Sequence, residues 1–306
     1  MTKFTTLAGI AACAASLTVS ALAAGASPIR SFGPQMRNSN EAVSIARHYM
    51  PTRYNSHFVQ PNTGQLNYNH GSVLLNPKQY VILWGFKAAG DPDKIGALYL
   101  GYVRHYGGSG MANILTQYYD IVSGIQHNVT NPAHNGVVWR DNSSPVPAHA
   151  TDAQVMAEAW VAAAHFGGAD PNGAYIVVSP YNHDPQGFLT QGWCAYHGAS
   201  QQGGKTISYT NMPYLPDGGG SCGANFVAPP PGELGAAEGQ TIVTGHEYAE
   251  SVTDPSPPSG WYNNSFGEIG DECAWTNIQN DPFGFRKFTM QPEYSNASAS
   301  CVHTYP

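Results

Sequence analysis

Five side chains between residues 246 and 271 have the types and spacing for metal-assisted hydrolysis: His246, Glu247, Glu250, Glu268 and Asp271. His246 and Glu250 stand four apart, so on a helix they lie one turn above the other and can converge on a single cation. Glu247 lies about 100° around the same helix, where a carboxylate can take a proton from water held by that cation. Two ligands on one helix, a base beside them and a third ligand from elsewhere make up the arrangement that such hydrolysis requires.

The expected third ligand is Glu268, in Gly267-Glu268-Ile269-Gly270-Asp271-Glu272-Cys273. If this short segment is helical, Asp271 shares a face with Glu268 and can hydrogen-bond the free nitrogen of His246. The roles of Glu268 and Asp271 can also be exchanged. One imidazole with two carboxylates weakens the Lewis acidity of the ion relative to two imidazoles with one. Zinc is the expected cofactor, with manganese, iron or calcium the alternatives.

His197, in Trp193-Cys194-Ala195-Tyr196-His197, can sit on a strand beside the helix as a further ligand or an oxyanion stabiliser. His70 and His303 have weaker claims. Glu247 and Glu268 could also form a glycosidase pair, although a base on a helix suits water activation better. The bland reading makes the acids a hydrogen-bonded network or a calcium-like oxygen site. No serine stands in an evident activating constellation.

The helix that must carry this set runs from about Leu234 to Val252 and is stopped at Thr253-Asp254-Pro255. Gln79 to Trp84 and Ala174 to Ser179 read as buried strands. Between them, Asp91-Pro92 opens a helix through Ile95 and Val103, and Met111 to Asp120 reads as another. Thr151-Asp152-Ala153-Gln154 is a capping box before an Ala-rich helix ending at Gly167-Gly168. A short helix is expected at Glu41 to Tyr49. Residues 180 to 230 turn to Gly, Asn, Pro and Ser, which suggests stapled loops. Strands alternating with helices argue an α/β (α+β) fold.

Charged residues make up only 11% of the chain, against roughly 25% in average domains. The formal net charge is −7, and Lys and Arg never cluster, which removes the footprint needed for nucleic acid or an anionic membrane. Residues 1–26 read as an export signal, with one charge at Lys3 and an apolar stretch too short to span a bilayer. Without that segment four cysteines are left, and the sequential pairing Cys194–Cys222 and Cys273–Cys301 is favoured because each closes a moderate loop. Residues 27–66 read as an N-terminal arm or propeptide, and 67–306 as one domain. The protein is expected to be secreted, extracellular or periplasmic, and monomeric. Asn128, Asn142, Asn263 and Asn296 begin glycosylation sequons.

The His-Glu pair on a helix, followed by a downstream Glu with an Asp nearby, resembles the zincin metallopeptidases, particularly those whose third ligand is glutamate. Glu250 stands where those proteins have histidine. The resemblance implies a zincin-like mixed sheet with an active-site helix, and cleavage of a protein or peptide substrate. A second resemblance covers more of the chain, from about residue 68 to 275. Tyr68-Asn69-His70-Gly71-Ser72-Val73-Leu74, Tyr80-x-Ile82-x-Trp84, Cys194-x-Tyr196-His197-Gly198 and Thr253-Asp254-Pro255 look like the phosphate-induced/EXORDIUM-like secreted proteins. That family's plant members lack the His-Glu pair, whereas secreted bacterial relatives carry it. The alternative function is therefore a non-catalytic extracellular wall or carbohydrate binder.

Overall fold

Two apolar runs, each long enough for one strand and buried along nearly its whole length, form the centre of the fold. The computed structural model describes residues 42–54, 64–265 and 267–306, and these described residues all belong to one unit. The export signal read at residues 1–26 lies outside the described residues. No helix among them is long and apolar enough to cross a membrane.

The main sheet has six strands: β1 (Val43–Pro51), β2 (Lys78–Trp84), β3 (Gly136–Asp141), β4 (Gly173–Val178), β5 (Trp193–Gln202) and β6 (Lys205–Met212). Their spatial order is β1-β5-β6-β4-β2-β3. β6, β4, β2 and β3 are parallel, and β5 runs antiparallel to both of its neighbours, β1 and β6. The fold is thus mixed α+β, with a mixed sheet. Parallel strands need cover on both faces, which is why Tyr80 to Trp84 and Ala174 to Val178 read as continuous apolar runs.

Three helices supply that cover: α1 (Ile95–Tyr106), α2 (Asp152–His165) and α3 (Glu238–Thr253). Neighbouring residues on a strand face opposite ways. Tyr196 reaches Asp152 of α2 and His197 reaches Glu247 of α3, so the two helices flank the sheet on opposite faces. α1 lies with α3, joined to it by a Tyr99–Thr244 hydroxyl pair at 2.8 Å. A hairpin, β7 (Gln279–Phe283) and β8 (Arg286–Met290), packs on α3.

Several expectations change in the structure. Residues 43–51 form strand β1 where a short helix was expected, because eight of its nine residues, including Val43 and Tyr49, pair along β5; that long-range pairing outweighs local propensity. The arm therefore contributes a strand of the main sheet. The helix expected over Met111 to Asp120 is a five-residue α turn, Gly110–Ile114, and one 3-10 turn, Leu115–Gln117; Tyr119 and Asp120 already belong to a hairpin with Ile125–Asn128. α1 begins at Ile95, three residues after Pro92, while the Asp91 carboxylate accepts from the Ile95 and Gly96 amides at 2.7 and 2.9 Å.

The Gly-rich stretch read as loops holds β5 and β6. Gly203-Gly204 joins them, and both residues have φ > 0, 56° and 75°, as a two-residue hairpin turn needs. Both expected disulfides form, Cys194–Cys222 and Cys273–Cys301. The first ties the start of β5 to the 3-10 segment Leu215–Cys222 ahead of α3. The second ties Cys273, just past the Glu268–Asp271 segment, to the C-terminal strand Ser300–Val302.

Candidate metal centre

Every residue of α3 is buried, polar ones included. A helix with no face to water must satisfy its polar side chains within the protein. Away from the centre it does so: Gln240 donates to Tyr99 at 2.9 Å, Thr241 donates to the Thr289 carbonyl at 2.7 Å, and Asn135 donates to Tyr248 at 3.1 Å. At His246, Glu247 and Glu250 the pattern breaks down.

His246 Nε2 lies 3.0 Å from Glu250 Oε1 and 3.8 Å from Asp271 Oδ1. His246 Nε2, both oxygens of Glu250, both of Glu268 and Oε1 of Glu247 are buried and have no hydrogen-bond partner among the described residues. So many orphaned atoms around one point are unusual in a native interior. They form a set of imidazole nitrogens and carboxylate oxygens, the donors that zinc, manganese and iron accept. These residues therefore fit a divalent cation.

Two further histidines complete the cluster. β1 and β5 place His48 directly opposite His197 in register, with ring centroids 6.0 Å apart. His197 Nδ1 lies 3.2 Å from Glu247 Oε2 and 3.4 Å from Glu250 Oε2; its Nε2 lies 3.2 Å from the Asp254 carbonyl and 3.5 Å from Glu268 Oε2. His48 Nε2 is 2.6 Å from Asp271 Oδ2, and His48 Nδ1 is 3.4 Å from Glu268 Oε1. His48, with its side chain 30% exposed, is the cluster's contact with solvent, followed by Asp271 at 14%; the rest are sealed.

Burial sets the electrostatics. It pushes the Glu247 and Glu268 carboxyls up from their ordinary value. It also pushes Glu250 up, but His246 and His197 outweigh burial and hold Glu250 well below the usual range. Burial pulls His246 down, and Glu250 more than reverses this, leaving it at about 10. For His48 and His197 burial likewise opposes protonation, yet the charges of Asp271 and Glu268 respectively keep both well above the ordinary histidine value. Without a metal ion, protons on these imidazoles supply the positive charge the carboxylates demand.

The orientation of His246 is fixed from behind. Gln291 Nε2 lies 3.0 Å from His246 Nδ1 and 3.0 Å from the Gly270 carbonyl. In this placement Nδ1 accepts only while the ring is neutral, with its single proton on Nε2. Turning the amide end for end would present Oε1 to Nδ1–H and free Nε2, at the cost of the bond to the Gly270 carbonyl, which would then face Oε1. Gly270 packs against the ring so closely that a Cβ there would lie 2.6 Å from Nδ1.

Of the residues singled out from the sequence, His246, Glu247, Glu250, Glu268, Asp271 and His197 all meet here, in an arrangement that differs from the one expected. Asp271, not Glu268, approaches Nε2 of His246 within 4 Å, and Gln291, not Asp271, serves its other nitrogen. Glu268 turns to His48 and His197 instead. The reason is backbone shape: the helical turn begins only at Asp271, and Asp271 Oδ2 accepts from the Glu268 amide at 2.9 Å, so the two acids do not share a helix face. His303 pairs with Asp281 at 2.6 Å and His70 packs edge-on to Tyr68. Gly219-Gly220-Ser221-Cys222-Gly223 has the Gly-x-Ser-x-Gly pattern, but it belongs to the disulfide loop, with no strand leading into it.

His48 and Gln291 were not found from the sequence. His48 stands in a polar stretch whose strand exists only by pairing with β5. Gln291 directly follows the strand Arg286–Met290 and has no spacing relation to the helix it supports. Comparison with protein-family models, with curated proteins and with solved structures finds no match.

Proposed function

We propose that the chain is a metal-dependent peptidase acting outside the cytoplasm, with His246, Glu250 and Asp271 as the ligands of a zinc-class cation. The observation that carries this reading is the convergence of Nε2 of His246, Oε1 of Glu250 and Oδ1 of Asp271 at 3.0 and 3.8 Å, with the first two buried and lacking hydrogen-bond partners among the described residues. A cation held there would supply Lewis acidity toward a peptide carbonyl and water. Glu247 is the base: Oε2 is held by His197 while Oε1 is unengaged, free to take a proton and return it to the leaving nitrogen. His197 orients Glu247. Gln291 orients His246, with its oxygen turned toward Nδ1 when Nε2 is a ligand. A peptide would enter past His48, where the cluster meets solvent. The two disulfides suit an oxidising compartment.

The test is Glu247→Gln. Hydrolysis of an unstructured protein such as casein is expected to fall by about 10²–10⁴-fold, while the purified variant keeps the zinc assigned to His246, Glu250 and Asp271. Equal activity in the variant would refute the assigned base.

A specific observation favours a second reading. His48 faces two carboxylates and His197 three, and as imidazolium ions they can offset this charge without any metal. A non-catalytic extracellular wall or carbohydrate binder would use the cluster in that way. Elemental analysis of the purified protein separates the two readings: bound zinc favours the peptidase, its absence the binder.

A further inference from the structure

The buried acids divide into two ligand groups that share Glu250. One is His48, Glu250 and Asp271, with His246 beside it; the other is His197, Glu247 and Glu250, and within each group the ligand atoms lie within 4.8 Å of one another. Glu250 presents Oε1 to His246 at 3.0 Å and Oε2 to His197 at 3.4 Å. We propose that the chain binds a second divalent cation between His197 Nδ1, Glu247 Oε2 and Glu250 Oε2, with Glu250 bridging the two ions.

Three observations support it. First, ligands about 2.0–2.1 Å from a tetrahedral ion stand about 3.3 Å from one another, and His197 Nδ1 stands 3.2 and 3.4 Å from its two carboxylate oxygens. Second, the Asp254 carbonyl, which can only accept, lies 3.2 Å from His197 Nε2. It holds the proton on that nitrogen and leaves Nδ1 as the ligating atom, the usual support for a metal-bound imidazole. Third, Glu250 is fully buried, and an ion on the His246 side leaves its Oε2 opposed only by His197 at 3.4 Å.

The second ion has a consequence for the proposed peptidase, and this part rests on that reading. An ion on Glu247 Oε2 draws the carboxylate's electrons and takes it out of service as a base. Filling the second site inhibits hydrolysis, so activity rises and then falls as zinc increases.

The experiment is a zinc titration of the chelator-stripped, disulfide-intact chain, followed by calorimetry and equilibrium dialysis, and repeated with Mn²⁺ under electron paramagnetic resonance. Two ions per chain are expected, the second bound more weakly, with spin coupling between two Mn²⁺ ions across one carboxylate. His197→Ala should bind a single ion. Glu247→Gln, close in shape to the parent, should do the same and serves if the alanine variant does not fold. Saturation of the parent at one ion, or two ions retained in both variants, overturns the second site while leaving the single-metal peptidase intact. Binding of no ion at all overturns both.

Discussion

α2 and α3 lie on opposite faces of one sheet and are built on opposite principles. α2 starts with a complete capping box: Thr151 Oγ1 accepts from the Gln154 amide, and the Gln154 side chain accepts from the Thr151 amide at 2.9 Å. It buries one stripe, including Val155, Met156, Ala159, Ala162 and Ala163, and leaves Val161 exposed. α3 has no side-chain cap and is buried all round, although it carries Gln240, Thr241, Thr244, His246, Glu247 and Glu250. A helix of α2's kind holds itself together by local signals and an apolar face. α3 is helical because everything around it requires it to be, and its polar groups are tolerated only where a partner is waiting.

The sharpest way to break this contrast is to remove the shared acid of α3. Glu250→Ala should abolish stoichiometric zinc binding, a larger loss than the ~10–100-fold typical of outer partners, as read by elemental analysis after dialysis. Next in size is Gln291→Leu, which leaves the ligands in place and removes the amide behind His246. Zinc affinity is expected to fall by about 10–100-fold, measured by competition with a chromogenic chelator. If affinity is unchanged, Gln291 does not position the ring.

α2 also carries one buried acid, and its pH response sharpens the contrast from the other side. Burial pushes the Glu158 carboxyl up to about 8, helped by Asp141 beside it. The folded chain therefore holds a proton that the unfolded chain releases near the ordinary value of 4.5. Stability from this group is fully present below pH 4.5 and is lost as pH rises to about 8. Glu158→Gln should leave the melting temperature at pH 4 near that of the parent and raise it relative to the parent at pH 8.5. The same shift at both pH values would show that titration is not the cause.

The two helices also differed in how far they could be read in advance. The start and end of α2 are written in Thr151, Gln154, Gly167 and Gly168, all local. For α3 the His246–Glu247–Glu250 spacing was legible because helical periodicity alone brings those residues together, and it pointed to Glu268 and Asp271 as partners by proximity in the chain. Which of the two would approach His246 stayed open, since it depends on a hydrogen bond from the Glu268 amide to Asp271 inside a non-helical turn. His48 could not be read either. It reaches the cluster through an antiparallel pairing between β1 and β5, and nothing near residue 48 announces a partner near residue 197. Both disulfides were legible because cysteines are few and each sequential pair closes a moderate loop. The Gly203-Gly204 turn carried a hairpin signal that the surrounding Gly and Ser concealed.

The smallest expected effect tests whether the two helices are independent. Thr151→Ala removes the hydroxyl that caps the Gln154 amide, and should cost about 1 kcal/mol of global stability in chemical denaturation; Thr151→Ser should restore most of it. Zinc affinity is expected to stay at the parent value, because α2 touches the cluster only indirectly. The path of that contact is specific: Asp152, the first residue of α2, accepts from Tyr196 and Tyr209 at 2.7 Å each and lies 3.6 Å from Arg47, while His48 and His197 are the next residues along β1 and β5. If removing the cap weakens zinc binding as well, Asp152 is transmitting the order of α2 through the sheet to the two histidines. The opposed faces would then be one coupled unit, with the locally specified helix helping to hold the one that cannot specify itself.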